Sequence, residues 1–178
     1  YKADEFVGDP AMTYTYMSQG QMVTESMLEM FKRCEFNPDE WKAIKQCCDK
    51  ENITFLSTPQ NYSDLKLLLD LGIPAIKVGS DDFNNLPLLR SYAETKLPLI
   101  LSCGMADMAE VYQALEAVGA LDGYPVDLLL CTSQYPTPPE DVNMLKLKTL
   151  GSAFPMVKLG LSDHTQGAIA SVMAVPLG

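Results

Sequence analysis

Histidine is nearly missing from this chain: its 178 residues contain one, His164. A metal centre built from several imidazoles cannot be assembled here, so the chain can supply only part of such a site. Positive charge is also scarce. Thirteen Lys and Arg stand against 23 Asp and Glu, a formal net charge of −10. So acidic a chain is a poor partner for nucleic acid or an anionic membrane, although a local basic site can still take an anionic substrate. No apolar run approaches the length of a membrane span. There is no signal peptide, and the chain opens on Tyr1 instead of Met, which points to missing upstream sequence. No linker, low-complexity tract or block of like charge divides it, so one domain is expected over residues 1–178. The five cysteines, Cys34, Cys47, Cys48, Cys103 and Cys131, are odd in number and lack C-x-x-C spacing. They read as buried free thiols in a reducing cytoplasm. A nucleophilic Cys103 would need His164 as its partner.

What the chain does have is a repeated pattern. Hydrophobic residues make up 47%, enough for a sizeable core. Five apolar runs each end in a polar cluster followed by an amphipathic stretch. They are Ile53-Thr54-Phe55-Leu56 into Ser57-Thr58-Pro59, Ala75-Ile76-Lys77-Val78-Gly79 into Ser80-Asp81-Asp82, and Leu99-Ile100-Leu101 into Ser102-Cys103-Gly104. Val126 to Leu130 into Cys131-Thr132-Ser133-Gln134-Tyr135 and Val157 to Leu161 into Ser162-Asp163-His164-Thr165 complete the set. Strands alternating with helices make a parallel α/β sheet, and function sits beyond the carboxyl ends of its strands. Polar tips on all five strands fit a closed barrel, where every tip surrounds one mouth. Five strands do not close a (β/α)8 barrel, so an incomplete TIM barrel is expected, the middle of a longer protein. The other possibility is a complete five-stranded open sheet.

Between the strands, helices are expected over Glu25 to Phe36, Asn37 to Lys50, Ser63 to Leu71, Leu86 to Thr95, Ala106 to Val118, Glu140 to Leu150 and Gly167 to Val175. Asn37-Pro38-Asp39-Glu40 is a capping box with Pro at the first helical position. Ser63 reads as a cap, and Gly72 and Gly119 as stops. Asn84-Asn85 and Asn143 read as helix starts. Residues 1–24 read as a long loop, and Met22, Met27 and Met30 as core.

Several residues can carry chemistry. Lys77 lies inside an apolar strand, where a lysine is costly unless paired or functional. It either holds a phosphate or carboxylate as a point charge or pairs with Asp81, Asp82 or another acid. Ser57, Thr58, Ser80, Ser102, Thr132 and Ser133 put six hydroxyls at strand ends, suited to a phosphate or a polyhydroxylated ligand, though Ser and Thr also cap helices. No base flanks Ser102, which argues against a nucleophilic serine. Tyr135 either stacks on a sugar or packs against the adjacent prolines. His164 is either a metal ligand oriented by Asp163 or a histidine satisfied by a backbone carbonyl.

Together these tips resemble the sialic acid synthase family, the N-acetylneuraminate synthases and their legionaminate and pseudaminate relatives. The resemblance runs in order over nearly the whole chain. Its most specific segments are Cys131-Thr132-Ser133-Gln134-Tyr135-Pro136 and Ser162-Asp163-His164-Thr165. It implies a transferase in a (β/α)8 barrel that joins phosphoenolpyruvate to an N-acetylated mannosamine-type sugar. The product is a nine-carbon 2-keto acid, and phosphate is released. It also implies a divalent metal, Mn or Mg, a cytoplasmic homodimer, and a C-terminal antifreeze-like domain that is absent here. By resemblance, Thr58, Lys77, Ser80, Ser102 and Ser162 bind the phosphate and carboxylate, Ser133 and Tyr135 line the sugar side, and His164 ligates the metal. The family's Ser-Gly-Glu becomes Ser80-Asp81-Asp82, so Asp82 takes the place of the catalytic acid with a shorter reach. The first two barrel strands, with an acid and a Lys-x-Gln, are expected before Tyr1, and a second metal histidine after Gly178. Two other readings stand beside it: a barrel lyase or aldolase with Lys77 as Schiff-base nucleophile, and a non-catalytic sugar-binding relative.

Overall fold

Gln19 and Gly20 both take positive φ, 50° and 80°, the two-residue reversal that matches the twist of a hairpin. In the computed structural model, which describes residues 1–178, strands β1 (Thr13–Ser18) and β2 (Gln21–Ser26) pair antiparallel across that turn. The long loop expected over residues 1–24 is therefore corrected. Threonine and tyrosine alternate along β1, and both favour a pleated surface. Cross-strand partners reinforce it: the Thr15 and Thr24 hydroxyls lie 2.8 Å apart, and the Tyr16 hydroxyl donates to Glu25 at 2.7 Å. Met22 is 63% exposed and Met27 and Met30 are only half-buried, so none of the three is core.

The hairpin lies in the first of two compact units, residues 1–55 with 59–72; the second comprises residues 56–58 and 73–178. The first unit also holds helices α1 (Ala3–Phe6), α2 (Met27–Arg33), α3 (Pro38–Lys50) and α4 (Tyr62–Asp70). The capping box of α3 forms as expected. The Asn37 side chain accepts from the backbone N–H groups of Asp39 and Glu40, and Glu40 accepts from the Asn37 N–H at 2.7 Å. Asn61 caps α4 in place of Ser63, its side chain accepting from Asp64 at 2.9 Å. The run Ile53 to Leu56 makes no strand. The Ile53 N–H is committed to the Cys48 carbonyl at the end of α3 (2.9 Å), and Ile53 is 61% exposed. Trp41 packs edge-on between Phe36 and Phe55.

The second unit is built on four parallel strands, β3 (Ile76–Val78), β4 (Leu99–Ser102), β5 (Val126–Cys131) and β6 (Lys158–Ser162). They lie side by side in chain order. Helix α5 (Leu86–Glu94) follows β3, α6 (Met108–Ala117) follows β4, α7 (Pro139–Val142) and α8 (Lys146–Ala153) follow β5, and α9 (Ile169–Ala174) follows β6. Strand order without reversal is the winding of a barrel, whereas a doubly wound sheet reverses at a switch point. The fold is an α/β arc of an incomplete (β/α)8 barrel.

One sheet face is dry. Ile76, Val78, Leu99, Leu101, Val126 and Leu128 are buried there, as are Leu88, Leu89 and Tyr92 of α5 and Val111, Ala114 and Leu115 of α6. Truncating such a fully buried leucine to alanine costs about 2–5 kcal/mol. Asp107 caps α6 with a second capping box, and Gly119 (φ 76°) follows the helix in the left-handed region. The single helix expected over Glu140 to Leu150 is broken. Asn143 takes φ 48° and ends α7 instead of starting a helix, whereas Asn85 does cap α5. All five cysteines are free thiols; Cys103 and Cys131 are buried, but Cys34 and Cys47 are exposed. No helix is long and apolar enough to cross a membrane.

Candidate active site

Lys77 pairs opposite Ile100, Ser102 opposite Leu129, and Cys131 opposite Ser162. Side chains alternate along each strand, so this register sets Lys77, Ser102, Cys131 and Ser162 on one face, the one opposite the dry face. All but Lys77 end their strands.

The Lys77 ammonium donates to the Ser102 hydroxyl and to the Val78 carbonyl, both at 2.7 Å. No carboxylate lies within ion-pair distance, so neither Asp81 nor Asp82 pairs with it. Burial holds its pKa below the ordinary lysine value, against the opposing pull of Cys131 and Asp81. A half-buried cation bonded only to neutral oxygens is an attractive place for an anion.

Gly104 gathers the hydroxyls. Its N–H donates to the Ser80 hydroxyl at 2.9 Å, and Ser80 in turn approaches the Cys131 sulfur at 3.5 Å. A Cβ on Gly104 would meet Ser133 Oγ at 2.7 Å, Ser80 Oγ at 2.8 Å and Cys131 Sγ at 2.9 Å. Only a residue without a side chain lets groups from the ends of β3 and β5 converge on the turn after β4. Asp82 is half-buried, and that burial raises its pKa, partly offset by the Asn85 side chain donating at 3.4 Å. Asp81 turns back so that its carboxylate covers Gly79. Thr58 and Ser162 are half-buried and make no side-chain hydrogen bond with the other candidates.

His164 is held from two sides. Its Nδ1 lies 2.9 Å from the Thr132 carbonyl, and its own carbonyl accepts from the Thr137 N–H at 2.9 Å. A carbonyl only accepts, so this contact calls for a proton on Nδ1. The Tyr135 ring tilts over the imidazole at a centroid distance of 4.2 Å while remaining 75% exposed. The histidine is thus satisfied at Nδ1 by a backbone carbonyl, while Nε2 makes no hydrogen bond. Asp163 does not orient it. Its carboxylate accepts from Ser171 at 2.6 Å and from the Thr165 N–H at 2.8 Å, contacts that hold its pKa low. That local turn competes successfully for the side chain. No group of three or more His, Cys, Asp and Glu is placed to hold a metal. The donors present fit one ligand, His164 Nε2, and not a full set.

The model of the NeuB family matches residues 1–178. The chain belongs to the NeuB family. Among its relatives, an uncharacterized protein of Methanocaldococcus jannaschii is 40% identical over 150 residues, 84% of this chain and 44% of that one. The N,N'-diacetyllegionaminic acid synthase of Legionella pneumophila is 33% identical over 183 residues, 100% of this chain and 51% of that one. The crystal structure of an N-acetylneuraminic acid (sialic acid) synthetase from Leptospira borgpetersenii in complex with citrate superposes with a TM-score of 0.80. It is 32% identical over 85% of this chain and 53% of that one. This NeuB chain spans about half the length of the curated relatives that it matches.

Within the NeuB chain, three residues join the site that sequence reasoning did not select. Gly104 and Cys131 were visible only as parts of strand ends. Thr137 lies in the proline-rich turn Tyr135-Pro136-Thr137-Pro138-Pro139, whose composition carries no sign of a site. Its burial, 4% exposed, was the missing signal.

Proposed function

We propose that the protein containing this chain joins phosphoenolpyruvate to an N-acetylated mannosamine-type aldehyde sugar. The enol carbon bonds to the aldehyde carbon, water adds at the neighbouring carbon, and phosphate leaves to give a nine-carbon 2-keto sugar acid. The observation that carries this reading is Lys77, bonded to Ser102 and free of any carboxylate partner. The Ser80 and Ser133 hydroxyls converging at Gly104 support it. The family membership and the named sugar-acid synthases among the relatives support the reaction class.

In this reading Lys77 neutralises the enol phosphate or its carboxylate, with Thr58, Ser80, Ser102 and Ser162 supplying hydrogen bonds. Neutralising charge and fixing orientation lower the barrier without any covalent intermediate on the enzyme. Ser133 and Tyr135 line the sugar side. Asp82, its pKa raised by burial, exchanges a proton with the substrate at its carboxylate. A divalent metal, Mn or Mg, belongs to the proposal; it would take His164 Nε2 as one ligand and supply polarisation of the aldehyde carbonyl. Free thiols throughout fit a cytoplasmic protein, and a homodimer is part of the same reading.

The test is phosphate release by the full-length protein. Release is expected only when phosphoenolpyruvate, divalent metal and an amino sugar are all present, with N-acetylmannosamine and its di-N-acetylated analogues assayed in parallel. Release that ignores the sugar, or none with any sugar, contradicts the reading. The burial-lowered pKa of Lys77 favours one second reading, a Schiff-base aldolase. Borohydride trapping with a keto acid separates the two, since the synthase leaves Lys77 unmodified.

A further inference from the structure

We propose that Thr137 is a positioning residue: it locks the loop carrying Ser133 and Tyr135 against His164, and so sets the sugar side of the site. The proposal deepens the function given above and rests on it for the identity of the substrate, but its geometry stands independently. Residues 133–136 are all exposed, whereas Thr137 behind them is buried. A buried hydroxyl needs a partner, and this one has them within its own loop. It donates to the Gln134 carbonyl at 2.8 Å and lies 3.4 Å from the Thr132 carbonyl.

The Thr137 N–H donates to the His164 carbonyl, and the His164 ring returns a bond from Nδ1 to the Thr132 carbonyl, both at 2.9 Å. The Gln134 N–H also donates to the Thr132 carbonyl at 2.9 Å, so that one oxygen ties the loop backbone to the imidazole. The result is a closed circuit. The Thr137 hydroxyl holds Gln134 and its N–H holds His164, Thr132 fixes the imidazole, and Tyr135 lies over the ring that the circuit orients. The Asp163 carboxylate, committed to Ser171 and Thr165, takes no part. Thr137 touches no reacting atom in this scheme. It acts through Tyr135 and His164, so its loss weakens capture of the sugar while leaving the Lys77 and Ser102 pair intact.

The experiment compares Thr137→Val and Thr137→Ser with the parent, all as full-length protein. Valine keeps the shape and the backbone bond but removes the hydroxyl; serine keeps the hydroxyl. Nitrogen NMR of the imidazole, recorded without added metal and assigned with His164→Gln, is expected to show a single tautomer protonated at Nδ1 in the parent and in Thr137→Ser. Thr137→Val is expected to show a mixture of tautomers. In turnover, Thr137→Val is expected to raise KM for the amino sugar roughly tenfold, the scale of one lost hydrogen bond, with KM for phosphoenolpyruvate unchanged. A His164 spectrum identical in Thr137→Val and parent overturns the proposal whatever the kinetics. So does failure of Thr137→Ser to restore the parent spectrum, or an equal rise in both KM values. A parent without turnover contradicts the synthase reading instead, and the spectra alone then decide the role of Thr137.

Discussion

Adding one methyl group at Gly104 tests how tightly the hydroxyl cluster is built. Gly104 is not among the residues with positive φ, so alanine is permitted by the backbone and its effect must come from packing. The new Cβ would sit 2.7 Å from Ser133 Oγ, 2.8 Å from Ser80 Oγ and 2.9 Å from Cys131 Sγ, where ordinary contact begins at 3.4 Å. All three contacts fall under 3.0 Å, a separation that a real Cβ essentially never shows. Ser133 is exposed and can rotate away. Ser80 cannot retreat without stretching its 2.9 Å bond from the Gly104 N–H, and Cys131 is 7% exposed and closed in. Overpacking of this kind costs about 1–3 kcal/mol in stability. A displacement approaching 1 Å at a reacting site costs on the order of 10²-fold in rate, or about 2.7 kcal/mol of transition-state stabilisation. The assay is steady-state phosphate release by full-length Gly104→Ala, with a thermal melt of the same sample. A kcat/KM within about threefold of the parent, roughly 0.6 kcal/mol, with the melting temperature unchanged, would refute the reasoning. The three polar atoms would then have room that the geometry denies them.

Two further outcomes follow from the same structure. Burial lowers the folded-state pKa of Lys77, so the folded protein binds fewer protons than the unfolded chain between that value and the ordinary lysine pKa; its stability contribution therefore rises with pH across that window. Melts of the parent and Lys77→Met from neutral pH upward should show the difference moving in the parent's favour, and a constant difference contradicts the assignment. Asp107→Ala removes the capping box of α6, whose side chain accepts from Ala109 at 2.8 Å and Glu110 at 2.9 Å. It should cost about 1 kcal/mol in denaturant titration, with the Lys77 region undisturbed.

The strands β4, β5 and β6 were readable because each is an apolar run with a polar end, and the α3 cap because its chemistry is local. Other features were hidden for physical reasons. The β1–β2 hairpin carries threonine and tyrosine where an apolar alternation would have been recognised, and it turns through Gln19-Gly20 instead of a stronger turn pair. Ile53 to Leu56 has strand-like composition, but composition cannot show that the Ile53 N–H is already held by α3. Among the site residues, Lys77 and Ser102 are 25 positions apart, and only strand register brings them to 2.7 Å. The sequence left two roles open for His164. The structure shows the backbone role, with Nδ1 at 2.9 Å from the Thr132 carbonyl, and the ligand role stays with the proposed function. Asp163, adjacent in sequence and a natural candidate to orient the ring, is drawn away by Ser171 and Thr165.

The central claim is that the strand-end face around Lys77 is an anion site for phosphoenolpyruvate. Calorimetric titration of phosphoenolpyruvate into the full-length protein and its Lys77→Met variant tests it most directly. The parent should bind, and the variant, which keeps a side chain of similar length but no charge, should lose affinity by roughly tenfold or more, the scale of a charge-assisted hydrogen bond of about 1.5–3 kcal/mol. Equal affinity in the two proteins would contradict the account and move the anion away from Lys77.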